Sequence, residues 1–289
     1  MSSAGADGTA IGWRVGWRTW VTSSAFSDLS RPGLSQARLQ RALEGDLWRR
    51  VIVVDSTAST NADVAAAARS GEPEGFVLVA EQQTGGRGRL DRQWESPPRA
   101  GLTFSALLRP ALDAAQLSLL PLIAGLAVVE AVAAVGQVDA SLKWPNDVLV
   151  DGYKLGGLLV ELAGGAAVVG IGLNVSLRED ELPVPTATSL FLAGGVTDRE
   201  PLLKEVLRAL ARRYAAWRWS GDAGSVLPAY RDRCETIGRE VELELPGGAM
   251  VRGVAVDVDD AGRLVVKDAE TGEQRSWLVG DVTHVRKAR

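Results

Sequence analysis

Two short stretches of this 289-residue chain hold the residue types that could do chemistry. The first, EQQTGGRGRLDRQWESP at residues 81–97, interleaves Gly85, Gly86 and Gly88 with Arg87, Arg89 and Arg92. Glycine lets backbone N–H groups approach a ligand closely, and guanidinium forks match the oxygens of phosphate or carboxylate. The pattern therefore predicts an anion site. It is not a dinucleotide fingerprint, which needs a third spaced glycine, nor a P-loop, which needs Gly-Lys-Ser/Thr. Taken alone it also fits a solvated turn whose arginines pair with Glu81 or Asp91. The second stretch, KWPND at residues 143–147, is followed by Lys154 in KLGG. A hairpin turn between them folds the chain back and brings Lys143, Asp147 and Lys154 toward one spot. The plainer alternative is that each lysine is a solvated charge and Asp147 a turn-former.

The composition narrows the chemistry further. One histidine, His284, and one cysteine, Cys234, leave Ser-His-Asp catalysis, His-rich metal sites and Cys-based zinc sites without their parts. No dedicated protein metal site is expected. Cys234 reads as a small buried residue and fits a reducing cytoplasm. A net charge of −4 argues against broad nucleic-acid affinity, which needs a basic surface to displace counterions. Residues 11–21 are broken by arginines and tryptophans and do not form the apolar core of a signal peptide. Residues 117–135 are apolar, but Pro121, Gly125 and Glu130 interrupt them, so a core helix is expected rather than a membrane span.

The elements that must position these residues alternate along the chain. Residues 1–33 are rich in Gly, Ser and Thr without a helical or strand period, and an irregular extension is expected over 1–46, with a short helix at 36–43. A strand at 48–55 leads into STNADVAAAARSG, where Thr60 and Asp63 make a capping-box pattern and Gly71 a stop. A strand at 76–82, the arginine loop and a strand at 102–109 come next. Residues 141–163 read as strand, turn, strand, an Asp151-Gly152 hairpin and strand, with a buried strand in AAVVGIGLNVS. Antiparallel neighbours of this kind predict a mixed sheet. Residues 201–219 and 225–234 have helical apolar spacing. From 237 onward apolar and polar residues alternate between glycine turns, which predicts a small β-barrel of about five strands.

Together, and in order, STN at 59–61, GRGR at 86–89 followed by Trp94, Ser105, KWPND, KLGGLLVE and GIGLNV at 170–175 resemble the biotin protein ligases. The resemblance runs from residue 48 to the C-terminus. It implies an α+β protein: a mixed-sheet, class II synthetase-like catalytic domain over 47–236 and a small SH3-like domain over 237–289. It implies a cytoplasmic enzyme that activates biotin with ATP as biotinyl-5'-AMP and transfers it to a lysine of a biotin carboxyl carrier protein. By position, Ser59, Thr60, Asn61, Gln83, Arg87, Gly88, Ser105 and Gly157 would line the biotin pocket. Arg89 and Lys154 would clamp the reacting carboxylate and α-phosphate, and Asp147 would orient or deprotonate the carrier lysine. Lys143, Asn174 and Arg286 would serve the nucleotide, with Mg2+ on its phosphates.

The sequence departs from the family pattern at Asp91, where many relatives have glycine. The segment before Trp48 is too short and irregular for the winged helix-turn-helix of regulatory relatives, so DNA is not an expected partner. Neither is a membrane; monomer and homodimer both stay open. A lipoate ligase shares the fold and the adenylate chemistry, but GRGR, KWPND and the C-terminal barrel favour biotin. A non-catalytic biotin sensor is disfavoured by the retention of Arg89, Lys154 and Asp147.

Overall fold

In the computed structural model, residues 31–89, 92–110 and 114–285 are described. A compact unit begins at Gly33. Its centre is set by three strands with no exposed position: β2 (Phe76–Ala80), β5 (Gly101–Leu108) and β9 (Ala166–Asn174). They are covered on both faces, which is why their sequences run apolar instead of alternating. With β1 (Arg50–Val54), β6 (Ser141–Lys143), β7 (Asp147–Val150) and β8 (Tyr153–Ala163) they form a seven-stranded sheet ordered β1-β2-β5-β9-β8-β7-β6. Only β1 and β2 run parallel, joined by helix α2 (Thr60–Arg69). The remaining pairs are antiparallel, as the mixed-sheet expectation requires. Between β2 and β5 the arginine loop forms a two-stranded hairpin, β3 (Gly86–Arg87) with β4 (Gln93–Trp94).

Helix α2 covers one face of the sheet, where Val64, Ala65 and Ala68 pack with Phe76, Leu78, Leu107 and Val168. Its cap differs from the sequence expectation. Ser59, not Thr60, is the N-cap, its Oγ accepting from Ala62 N at 3.4 Å, while Asp63 accepts from Thr57 Oγ1. Thr60 is thereby inside the helix, with its side chain free for other work. Gly71, at φ 89°, follows the C-cap as expected.

The other face carries α1 (Gln36–Ala42), α3 (Ala114–Leu117), α4 (Leu120–Ala131), α5 (Arg199–Ser220) and α6 (Leu227–Arg233). Helix α4 is buried almost all round, as the apolar run demanded, and no described helix is long and apolar enough to cross a membrane. Of the irregular extension expected over 1–46, residues 1–30 lie outside the described residues, and the part from Gly33 onward belongs to this body. Leu39 and Leu43 lie in the main core, and Gln40 and Gln36 accept from the backbone of β1, at Val51 N and Val53 N. A single core residue per helical turn was too faint a periodicity to reveal this.

The C-terminal strands β10 (Glu240–Glu244), β11 (Met250–Val258), β12 (Leu264–Asp268), β13 (Gln274–Trp277) and β14 (Asp281–His284) form an antiparallel sheet ordered β13-β12-β11-β10-β14. Their number and alternation match the expected small barrel, here SH3-like. This domain shares its core with the seven-stranded sheet: Val241, Leu243, Ala255, Leu264 and Val282 belong to the same apolar cluster as Leu142, Trp144 and Leu158. The buried Trp144 forms the seam. Its indole donates to Gly262 O at 3.0 Å and its backbone N–H to Thr236 Oγ1 at 3.0 Å, and Thr236 Oγ1 lies 3.1 Å from His284 Nε2.

Candidate active site

The start of α2, the β3–β4 hairpin, the β6–β7 turn and the bare middle of β8 and β9 enclose one cavity of about 110 Å³. One water needs about 10–15 Å³ on this measure, so the space suits a ligand and not a single solvent molecule.

One end of the cavity carries a chain of hydrogen-bonded hydroxyl and amide groups. Gln83 Oε1 accepts from Thr60 N at 2.7 Å and Thr60 Oγ1 at 2.9 Å. Ser105 Oγ stands 2.8 Å from Thr60 Oγ1 and donates to Asn61 Oδ1 at 2.6 Å. Asn61 Nδ2 donates in turn to Glu161 Oε2 at 2.8 Å. Thr60, Asn61 and Ser105 are buried, so ordering this chain beforehand spares a ligand the cost of arranging it. Space for it comes from glycine: a Cβ at Gly170 would stand 2.0 Å from Asn61 Oδ1. The Trp94 indole lies against Gly172, where a Cβ would come within 2.5 Å of the ring, and its buried Nε1 has no hydrogen-bond partner.

The other end is charged. The Asp151-Gly152 turn has φ of 50° and 77°, the doubly left-handed form that twists with its strands and closes a tight hairpin. With a one-residue register shift between Val148 and Leu149, it sets Asp147 opposite Gly157. Because Gly157 is bare, the Lys154 stem lies back over it, its Nζ about 3.5 Å from where a Cβ would be, and reaches Asp147 Oδ1 at 2.6 Å. Arg89 Nη1 donates to Asn146 Oδ1 at 3.2 Å, and Asn146 is itself held by Leu158 O at 2.9 Å. Burial pulls the Arg89 guanidinium below its usual pKa, opposed by the fields of Asp281 and Asp147. Burial likewise lowers Lys143, opposed chiefly by Asp147. A half-buried cation whose desolvation outweighs its carboxylate neighbours favours an incoming anion.

The structure thus gathers Ser59, Thr60, Asn61, Gln83, Arg87, Gly88, Arg89, Asp147, Lys154 and Gly157 around one space, with Ser105 beneath Thr60 and Asn61. Lys143 is close enough to feel Asp147, Asp281, Lys154 and Arg92. Asn174 sits apart, at the end of β9, with Nδ2 donating to Thr188 O at 2.9 Å and Oδ1 buried and unpartnered. Arg286 and Asp91 lie outside the described residues. Sequence reasoning missed Asn146, which stood inside a quoted motif, and Gly170 and Gly172, whose missing side chains make the trench. It also missed Asp281, which enters from the barrel with no local signal.

Comparison with known proteins agrees with this geometry. Residues 53–177 match the Biotin/lipoate A/B protein ligase family, and residues 236–285 match the Biotin protein ligase C terminal domain. The biotin–[acetyl-CoA-carboxylase] ligase of Mycobacterium tuberculosis is 43% identical over 268 residues, covering 90% of this chain and 98% of its own length. The bifunctional ligase/repressor BirA of Bacillus spizizenii is 30% identical, covering 86% of this chain and 80% of its own length. Among solved structures, the biotin protein ligase from Aquifex aeolicus in complex with biotin and ATP superposes with a TM-score of 0.71 at 32% identity, covering 83% of this chain and 100% of that one. Two domain matches and a 43% identical relative spanned almost end to end place this chain in the biotin protein ligase family.

Proposed function

We propose that the protein joins biotin to a lysine of a biotin carboxyl carrier protein by way of biotinyl-5'-AMP made from ATP. The observation that carries this reading is the polarity of this cavity: a buried hydrogen-bonded chain of hydroxyl and amide groups at one end, cations at the other. Biotin has the same polarity, a neutral ureido ring joined by an apolar chain to a carboxylate. Ser59, Thr60, Asn61, Gln83 and Ser105 would hold the ring, with Gly157 leaving room for the chain and Arg87 and Gly88 flanking it from the hairpin.

In the first half-reaction a carboxylate oxygen bonds to the α-phosphorus of ATP and the bond to pyrophosphate breaks. Two anions must meet, and negative charge gathers on the phosphoryl oxygens. Preorganised cations answer both needs: Arg89 and Lys154, which line the cavity, would act on them, with Lys143 nearby. Among the described residues no three His, Cys, Asp or Glu side chains gather into a metal site, and Asp147 and Asp281 are the carboxylates lining the cavity. Mg2+ would therefore enter with the ATP phosphates and keep mostly phosphate and water ligands. Asn174 would serve the nucleotide by the family pattern alone, since it lies apart from the cavity with its Oδ1 buried and unpaired.

In the second half-reaction the carrier lysine's amine attacks the acyl carbon, AMP leaves and the amine sheds a proton. Asp147, already bonded to one ammonium at Lys154, would orient a second amine. The carrier is a biotin-dependent carboxylase subunit or domain, as the name of the Mycobacterium tuberculosis relative indicates, and the reducing cytoplasm suits the free, buried Cys234. Incubation with biotin, α-labelled ATP and a carrier domain tests substrate, cosubstrate and transfer at once. Labelled adenylate followed by a carrier mass gain of one biotin is expected. Adenylate from lipoate but not from biotin would overturn the assignment.

A further inference from the structure

Among the described residues, an ion pair links the β3–β4 hairpin to the barrel. Arg92 donates from Nη1 to Asp281 Oδ1 at 3.3 Å and from Nη2 to Oδ2, a two-pronged pair between residues 189 positions apart. Asp281 is the first residue of β14, where it faces Glu244 of β10, so its backbone is fixed by the barrel's own ladder. It also lines the cavity. A carboxylate there repels the anions that the neighbouring cations attract, so its presence needs an offsetting use. Arg92 supplies one: it follows Arg89 on the same hairpin and precedes β4, which carries Trp94. Fixing Arg92 fixes the hairpin's return strand against a rigid support.

We propose that Asp281 is a positioning residue: by holding Arg92 it ties the glycine-rich hairpin to the C-terminal barrel and so sets how long that hairpin retains the ligand beneath it. The retention part rests on the reading of the cavity as a biotin and adenylate site; the tie itself does not. Arg92 is 58% exposed and Asp281 26%, so water and salt weaken the pair. Exposed pairs of this kind shift an equilibrium by about twofold to fivefold.

The test uses the full chain in four forms: wild type, Asp281→Asn, Arg92→Gln and the double variant. Amide hydrogen exchange is read at residues 86–89 and 92–94 without ligand, alongside the dissociation rate of biotin. Either single change is expected to speed hairpin exchange about twofold to fivefold, and the double change no further. Strands β10–β13 should keep their wild-type protection. Raising the salt from about 0.05 M to about 0.5 M should move the wild-type hairpin toward the variant rate while leaving Asp281→Asn unmoved. Biotin should leave the single variants faster by the same factor as the exchange. Unchanged hairpin exchange, effects that add in the double variant, or equal loosening of β10–β13 would overturn the tie. Biotin that dissociates at the wild-type rate from a loosened hairpin would overturn the retention role. Failure of every form to bind biotin, with hairpin exchange responding as expected, would sink the biotin reading and leave the tie standing.

Discussion

Replacing Lys154 with alanine separates a chemical role from a structural one. The side chain spans the bare Gly157 to Asp147 and is 33% exposed, its partner 17%. A partly solvated pair of this kind contributes about 0.2–1 kcal/mol, because Coulomb attraction is screened and ordering a long side chain has an entropic cost. For a chain of this size 1 kcal/mol moves the melting midpoint by about 2–4 °C. Adenylation answers to a different quantity. Removing one preorganised donor from developing charge costs about 2.7–4 kcal/mol, or roughly a hundredfold to a thousandfold in rate. Lys154→Ala should therefore melt within about 4 °C of wild type and form labelled adenylate at least about a hundredfold more slowly in single-turnover assays. Lys154→Met, which restores the stem over Gly157, should recover the melting temperature without recovering the rate. If the alanine variant loses its fold, or the methionine variant regains activity, the ammonium is not what the reaction uses.

Three further outcomes follow from the site. Arg89→Gly removes a charge-assisted contact worth about 1.5–3 kcal/mol and adds backbone freedom, so the adenylate should escape; blotting an unrelated lysine-rich protein for biotin should show more labelling than with wild type. Gly170→Ala forces a Cβ into Asn61 Oδ1 and should weaken biotin binding by about tenfold or more in titration, with ATP binding much less affected. His284 is pulled down to about 4 by burial, with Lys143 adding to the shift. Its folded pKa is below the unfolded value of about 6.5, so the unfolded chain binds more protons between these limits. Stability should be full above about pH 6.5 and fall as the pH drops toward 4, and denaturant midpoints of His284→Gln should show a shallower decline across that window.

The parts of the site that a reader of the sequence can see are those made by neighbours in the chain. The glycine-arginine hairpin, the KWPND turn and the Asp151-Gly152 reversal each carry their geometry locally, and the structure places them together. The polar chain was legible as single residues but not as a chain, because Thr60, Gln83, Ser105 and Asn61 meet only after α2 packs on the sheet. Thr60 was read as a cap because Thr-x-x-Asp imitates one; Ser59 captured that role through its own Oγ. The trench of Gly170 and Gly172 was hidden for a different reason. Glycine in a buried strand looks like weak packing until the opposing Asn61 and Trp94 are known. Asp281 arrives by a fold-level contact that no spacing rule describes.

The seam at Trp144 also bears on how the protein is made. A chain emerging N-terminus first completes its seven-stranded sheet while β6 and the Trp144 indole still lack the surface supplied by Gly262, Val241 and Val282. At about 5–20 residues per second, the final fifty or so residues follow only after a delay of a few seconds. During that interval the nascent protein presents an apolar flank and an unsatisfied indole N–H, a target for chaperones and for other nascent copies. A chain arrested before the barrel would therefore be a degradation substrate and not a weaker enzyme.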